Sequence, residues 1–266
     1  MPSPIGGTMQ ITITAEHVEF LRENRIFLNS GGLYDSTWLR VGMNYNAGGR
    51  AMVEPYSAVH VGPKISAVGA FSYSKSYFPP DCFTIGRYCA IAEKAAPIAS
   101  NHPQGRIGMS GFDYSPIAPF AQFERDKGYA APKTPPRGVN TGSTVIGNDV
   151  WIGQEAMIKR GITIGHGAVI AARSIVTKDV PPYAVVAGAP AEIKKFRFPE
   201  PLIERLLASE WWNYSYDQFA GMDTTDPLEF LPSFEDAKAE SRIQPHSENR
   251  IDVHAAFRRI SQAMAA

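Results

Sequence analysis

The chain has 266 residues, with 26 Lys and Arg against 26 Asp and Glu, so its formal charge at pH 7 is zero. That balance, without a block of like charge, provides no extended surface for nucleic acid or an anionic membrane. No apolar run approaches the roughly 20 residues of a bilayer span, and the opening MPSPIGGTMQ lacks the charged-then-apolar layout of a secretion signal, so cytoplasmic residence is expected.

Along the chain, AEHVEFLRENRIFL (15 to 28) places Val18, Leu21 and Ile26 at spacings that predict a short amphipathic helix. Residues 29 to 57 are rich in Gly and Tyr and carry no period, so 1 to 57 reads as an N-terminal segment with one helix. Repeat-like units begin after residue 58: VGPKI from Val61, VGAFS from Val68 and IGRYCAIAEKA from Ile85. The seven-residue step from Val61 to Val68 and the insertion KSYFPPDC make these first units irregular. The two cysteines, Cys82 and Cys89, match no metal motif. Cys89 falls in a small inward slot four residues after Ile85, which predicts a buried free thiol. Between 99 and 142 the repeat vanishes into a stretch with six prolines and three phenylalanines, far longer than an ordinary connection. Its aromatic content predicts a packed excursion loop.

From Thr144 the pattern becomes strict. Ile146, Ile152, Ile158, Ile164, Ile170 and Val176 stand six residues apart, and a second ladder follows four positions after each: Val150, Ala156, Ile162, Ala168, Ser174 and Val180. A period of six does not suit an α-helix, where roughly 100° per residue would scatter the rungs around the cylinder. An unbroken strand fails too, because it would bury Asn148, Gln154, Arg160 and His166. Short straight segments joined by sharp corners fit both ladders, with the small residues Gly147, Gly153, Gly165 and Ala171 and the polar residues at the corners. Three segments per turn make a triangular parallel β-helix built from hexapeptide repeats, an all-β solenoid. His166 is then an exposed corner residue. PAEIKKFRF leaves the helix, and PEPLIERLLASEWWNYS reads as an α-helical cap within 198 to 220. Residues 221 to 266 read as a polar extension ending in a short helix near Val253 to Met264. Flat solenoid sides call for lateral burial, which a homotrimer would supply.

The run VIGNDVWIGQEAMIKRGITIGHGAVIAARSIVTKDVPPYAVVAGAPAEIKKFRF, together with SNHP, a long aromatic loop through APF, and EWWNY, resembles the hexapeptide-repeat xenobiotic acetyltransferases over about 61 to 216. Those enzymes include chloramphenicol, streptogramin and sugar acetyltransferases. The resemblance implies a left-handed coil over 58 to 197, with the loop 99 to 142 inserted, acetyl-CoA as co-substrate without a metal, and active sites between the subunits of a trimer. It places His102 of SNHP as the general base. Imidazole titrates near neutrality and could take the proton of an attacking hydroxyl, an assistance typically of about 10²- to 10⁴-fold. On the same matching, Trp151 and Gln154 lie near the thioester, Ala172, Thr177 and Lys178 along the pantetheine and phosphate, and Lys195 against a phosphate. The alternatives for these positions are solvated lysines and plain corner geometry.

Tyr73 and Tyr77 combine an apolar ring with a hydroxyl, which suits a wall for a sugar or an amphipathic acceptor; packing under the neighbouring loop is the other reading. Asp113, the nearest downstream carboxylate, is placed to orient the imidazole, to touch the acceptor, or to serve a turn. O-acetylation of a small amphipathic molecule or sugar is the leading function. The competing ones are N-acetylation of an amino sugar and a non-catalytic scaffold, and the site rather than the fold must separate them.

Overall fold

The structure is a computed structural model that describes residues 9–29, 31, 36–98, 102–115, 117–130, 134, 142–247 and 249–265. Ser100 and Asn101 of the SNHP motif, the first eight residues and much of the stretch from 131 to 141 lie outside the described residues.

The two ladders are inward along their whole length. None of the six primary rungs from Ile146 to Val176 is more than 2 % exposed, and none of the secondary rungs exceeds 7 %. Each primary rung closes a strand of two or three residues, after which the chain turns. The turn is sharp because the third residue after each rung from Ile146 to Ile170 has a left-handed backbone: Asp149, Glu155, Gly161, Gly167 and Arg173. After four of the six rungs the next residue is small, Gly147, Gly153, Gly165 or Ala171, and at the glycines the next coil passes directly against it. A Cβ on Gly153 would sit 2.5 Å from the Ala172 nitrogen, and one on Gly165 would sit 2.5 Å from the Pro182 nitrogen.

The strands stack in register on three faces. One face is an eight-stranded sheet running from Ile26–Phe27 through Ser57–Val59, Tyr73–Ser74, Ala90–Ile91, Trp151–Ile152, Val169–Ile170 and Ala184–Gly188 to Ala191–Phe196. All pairs are parallel except the last, a hairpin. The second face holds Phe83–Ile85, Thr144–Ile146 and Thr163–Ile164, and the third holds Ala96–Pro97, Met157–Ile158 and Ile175–Val176. Ala96–Pro97 and Thr144–Ile146 are consecutive strands, so everything between them leaves the coil at one corner. Cys89 is buried in the column as a free thiol, and Cys82 is buried as well.

Among the described residues, five α-helices decorate this body: α1 (Ala15–Glu23), α2 (Ala118–Lys127), α3 (Glu200–Ser209), α4 (Pro227–Ala239) and α5 (Val253–Ala265). The N-terminal helix is shorter than its periodicity predicts. Arg25 adopts a left-handed backbone, and Ile26–Phe27 peels away to pair in parallel with Ser57–Ala58. Ile26 is therefore a buried rung rather than part of a helix face. The segment from 221 to 266 is not simply a polar extension. In α4, begun by the Asp226 side chain accepting from Leu228 N, Phe230, Leu231 and Phe234 are buried in a second core with Tyr183, Leu206 and Phe219. The chain then returns to the other end of the solenoid. Ile251–Asp252 pairs antiparallel with Met52–Val53, and α5 buries Val253, His254 and Phe257 against α1 and Gln10–Thr12.

Candidate functional site

The outward residues of the eight-stranded sheet form one continuous column, because parallel register repeats the same side at every coil. Tyr73 faces Ala90, Ala90 faces Trp151, Trp151 faces Val169, Val169 faces Val185, and Val185 faces Lys195. Alternation explains the direction: Ser74, Ile91, Ile152 and Ile170, one position on, are all buried. Two large exposed rings with alanine between them make a notch. At one strand spacing per step, Tyr73 and Trp151 stand roughly 10 Å apart, and Lys195 lies roughly 14 Å beyond Trp151. The notch is a cavity of about 310 Å³ that Lys75, Glu93 and Gln154 also line. Tyr73 stacks on His60 with ring centroids 6.3 Å apart, and Lys75 pairs with Glu93 at 3.7 Å. Burial, and then the charge of Lys75, hold the His60 imidazole below its ordinary pKa.

Gln154 and Ala172 share the corner beside this face, one coil apart. Arg173 N donates to the Gln154 carbonyl at 2.8 Å, and Ala172 lies directly against Gly153. Thr177 and Lys178 occupy the following corner, after the rung Val176, and Lys178 is exposed. Lys195 is exposed on the last strand of the sheet. The six positions matched to a co-substrate therefore fall into three places: the notch-side corner, the next corner, and the sheet edge. Tyr77 lies away from Tyr73. Its ring packs against Gly62, and burial pushes its hydroxyl up to about 12.

His102 stands in the excursion that leaves the third face after Pro97. The ring is exposed, but one nitrogen is committed: Nδ1 lies 2.6 Å from the Met109 carbonyl oxygen and 2.7 Å from the Tyr114 hydroxyl. A carbonyl only accepts, so Nδ1 carries the proton, and the neutral ring keeps a lone pair on Nε2. Asp113 does not meet the imidazole among the described hydrogen bonds. It pairs with Arg106 at 2.8 Å, and Arg106 lies over the Tyr114 ring at 5.2 Å while donating to the Thr134 carbonyl at 2.7 Å. Thr134 N closes this knot on the Asp113 carbonyl at 2.8 Å. Tyr114, which the sequence reading passed over, is thus the side chain that holds the imidazole. Its place next to Asp113 in the FDY run was the only available signal.

His166, expected to be exposed, is half-buried. It stacks on Trp212 at 4.5 Å, accepts from Asn148 N through Nδ1, and is held below its ordinary pKa by burial. The described residues contain no cluster of three His, Cys, Asp or Glu able to hold a metal ion, and no helix long and apolar enough to cross a membrane.

Residues 143–178 match the family described as bacterial transferase hexapeptide (six repeats). The chain is 39% identical to a chloramphenicol acetyltransferase of Klebsiella aerogenes over 168 residues, covering 57% of this chain and 77% of that protein. It is 41% identical over 163 residues to a probable macrolide acetyltransferase of Lysinibacillus sphaericus, covering 59% of this chain and 80% of the relative. A solved hexapeptide-repeat acetyltransferase of Vibrio cholerae overlaps 55% of this chain and 70% of its own at 24% identity, with a TM-score of 0.34. With repeats, corners and this degree of identity over most of the length of its relatives, the chain belongs to the xenobiotic acetyltransferases of the hexapeptide-repeat type.

Proposed function

We propose that the protein transfers an acetyl group from acetyl-CoA to a hydroxyl of a small amphipathic molecule, with His102 as general base, in a homotrimer of left-handed coils. The observation that carries this reading is the committed Nδ1 of His102. A ring locked to the Met109 carbonyl has a fixed orientation and one basic nitrogen, which is what a direct transfer needs. Nε2 takes the proton of the acceptor hydroxyl as its oxygen bonds to the thioester carbonyl. The imidazolium then returns that proton to the departing sulfur, so the ring ends each turnover neutral.

The donor track fits the outward column. Trp151 and Gln154 stand where the thioester end would lie, and Lys195 stands roughly 14 Å further, within reach of a phosphate at the far end of an extended pantetheine arm. Ala172, Thr177 and Lys178 would serve the same ligand from the corners. Tyr73, across the notch from Trp151, supplies the acceptor wall, with Asp113 acting through Arg106 and the loop rather than on the ring. No described hydrogen bond joins His102 to the notch of its own chain, which favours completion of the site by a second copy. Relatives named for chloramphenicol and macrolides set the acceptor class to test first.

The test is thiol release from acetyl-CoA with a panel of chloramphenicol, macrolides, simple sugars and amino sugars, with product mass spectrometry. Release dependent on a hydroxyl acceptor, with an O-acetyl product, is the expected result. Release only with amines, or none with any acceptor despite bound coenzyme A, would refute it.

A further inference from the structure

The notch owes its width to where one ring stands. In a sheet the nearest neighbours of an outward side chain are the residues in register on the two adjacent strands. For Tyr73 these are Ala58 and Ala90, both carrying only a methyl group. Strand pairing therefore leaves the ring room on either side, and an exposed tyrosine can exchange one staggered χ1 rotamer for another. Upright, the ring walls the cavity of about 310 Å³; leaning over Ala58, it would open that cavity sideways.

The side chain that limits this movement is His60. Alternation brings it outward two positions after Ala58, and its backbone N–H donates to the Ser74 carbonyl at 2.9 Å, which ties it to the strand bearing Tyr73. The imidazole lies against the Tyr73 ring with centroids 6.3 Å apart and planes only 14° from parallel. His60 is not among the residues lining the cavity, so the Tyr73 ring stands between the two. The imidazole serves here as a flat plate and not as a base. Its Nε2 is buried without a hydrogen-bond partner among the described residues, and burial, then the charge of Lys75, keep the ring neutral at pH 7. His60 also lies just before the stretch from 61 to 216 whose motifs carry the family resemblance, so nothing in those motifs assigns it.

We infer that His60 is a positioning residue for the acceptor: it backs the Tyr73 ring, holds the notch at its width and so selects acceptors by size. The inference rests on the reading of Tyr73 as the acceptor wall. Without the plate, the ring leaves a small acceptor untouched on one side and makes room for a larger one.

Two variants of the full chain test this, His60→Ala and His60→Phe, the second keeping a flat ring and giving up no hydrogen bond from Nε2. The first readout needs no activity: NMR of ring-labelled tyrosine, with the Tyr73 signal identified by its loss in Tyr73→Phe. That signal should move in His60→Ala, which removes the neighbouring ring current, and should keep a stacked position in His60→Phe. The second readout is transfer to chloramphenicol and to the larger erythromycin. His60→Ala should raise the KM for chloramphenicol roughly two- to tenfold, the range one ring stack confers, with kcat and the KM for acetyl-CoA unchanged. The kcat/KM ratio of erythromycin to chloramphenicol should rise, and His60→Phe should restore both values. An unmoved Tyr73 signal, an unchanged chloramphenicol KM, an equal rise in the KM for acetyl-CoA, or no recovery in His60→Phe would each overturn the inference. A wild type that acetylates neither compound refutes the acceptor wall, and the selectivity role with it, whereas a moved Tyr73 signal still identifies His60 as the support of that ring. If His60→Ala does not fold, His60→Leu, which fills the space without a flat face, replaces it with the same expected outcomes.

Discussion

Ile164, fully buried in the coil column, and His102, exposed at the start of the excursion, belong to regions held together in opposite ways. The coils from 143 to 186 satisfy their backbone between neighbouring turns, and every inward side chain meets the same kind of rung above and below. Around His102 the excursion is held by side-chain bonds: His102 to Met109 and Tyr114, and Arg106 to Asp113 and Thr134. One region carries stability and tolerates no local error. The other carries the proposed base, and the bonds around it can be removed one at a time. Stability and chemistry should therefore come apart under mutation.

The sharpest break is Ile164→Asp. It places an unpaired carboxylate in a dry column and should cost several kcal/mol, unfolding neighbouring coils together. Thermal melting checks this, and an unchanged transition would mean that Ile164 does not face inward. Next comes acid. His254 is fully buried, with Nε2 2.9 Å from the Tyr45 hydroxyl, and burial lowers its pKa from 6.5 to about 4. The unfolded chain takes up this proton at the ordinary value and the folded chain only near 4. The contribution is therefore fully present above pH 6.5 and is lost as pH falls from there to about 4, a drop of about 3 kcal/mol. His17 and His166, also lowered by burial, act with the same sign. Urea melts across that range should be flatter for His254→Gln; equal slopes would exclude His254 as the cause.

His102→Ala should do the reverse of Ile164→Asp. We expect kcat/KM to fall by roughly 10²-fold or more, with melting temperature, oligomeric state and coenzyme A affinity unchanged. Wild-type transfer by this variant would move the proton to another group. The smallest change is Tyr114→Phe, which removes one hydroxyl from the imidazole and keeps the aromatic ring beneath Arg106. A loss of roughly two- to tenfold in kcat, without a change in stability, is the expected outcome. A loss as large as that of His102→Ala would instead make the hydroxyl part of the reaction.

How much of this was legible follows from how local each constraint is. Both ladders, the small corner residues and the buried Cys89 thiol were readable, because a six-residue period encodes its own geometry within one turn. The short helix near Val253 to Met264 was equally plain and appears as α5. The partner of that helix was not legible: α5 packs on α1 from the other end of the chain, and nothing near residue 253 records that. Likewise Ile26 has helical spacing to Leu21, yet pairing with Ser57–Ala58 decides its fate. In α4, Pro232 and the flanking acidic residues Glu229, Glu235 and Asp236 hid an apolar face that the second core uses.

For the candidate site, sequence by itself determined which residue types stand outward on the coils and that one histidine opens the excursion, since both are set by the repeat and its interruption. Tertiary structure alone decided that Tyr73, Ala90, Trp151 and Lys195 share one column, because the irregular early units and the inserted loop erase any fixed spacing between them. It also decided that Tyr77 turns to Gly62, that Asp113 pairs with Arg106, and that Tyr114 holds the imidazole. A loop has no period, so the partner of each of its side chains is fixed only when the chain closes on itself.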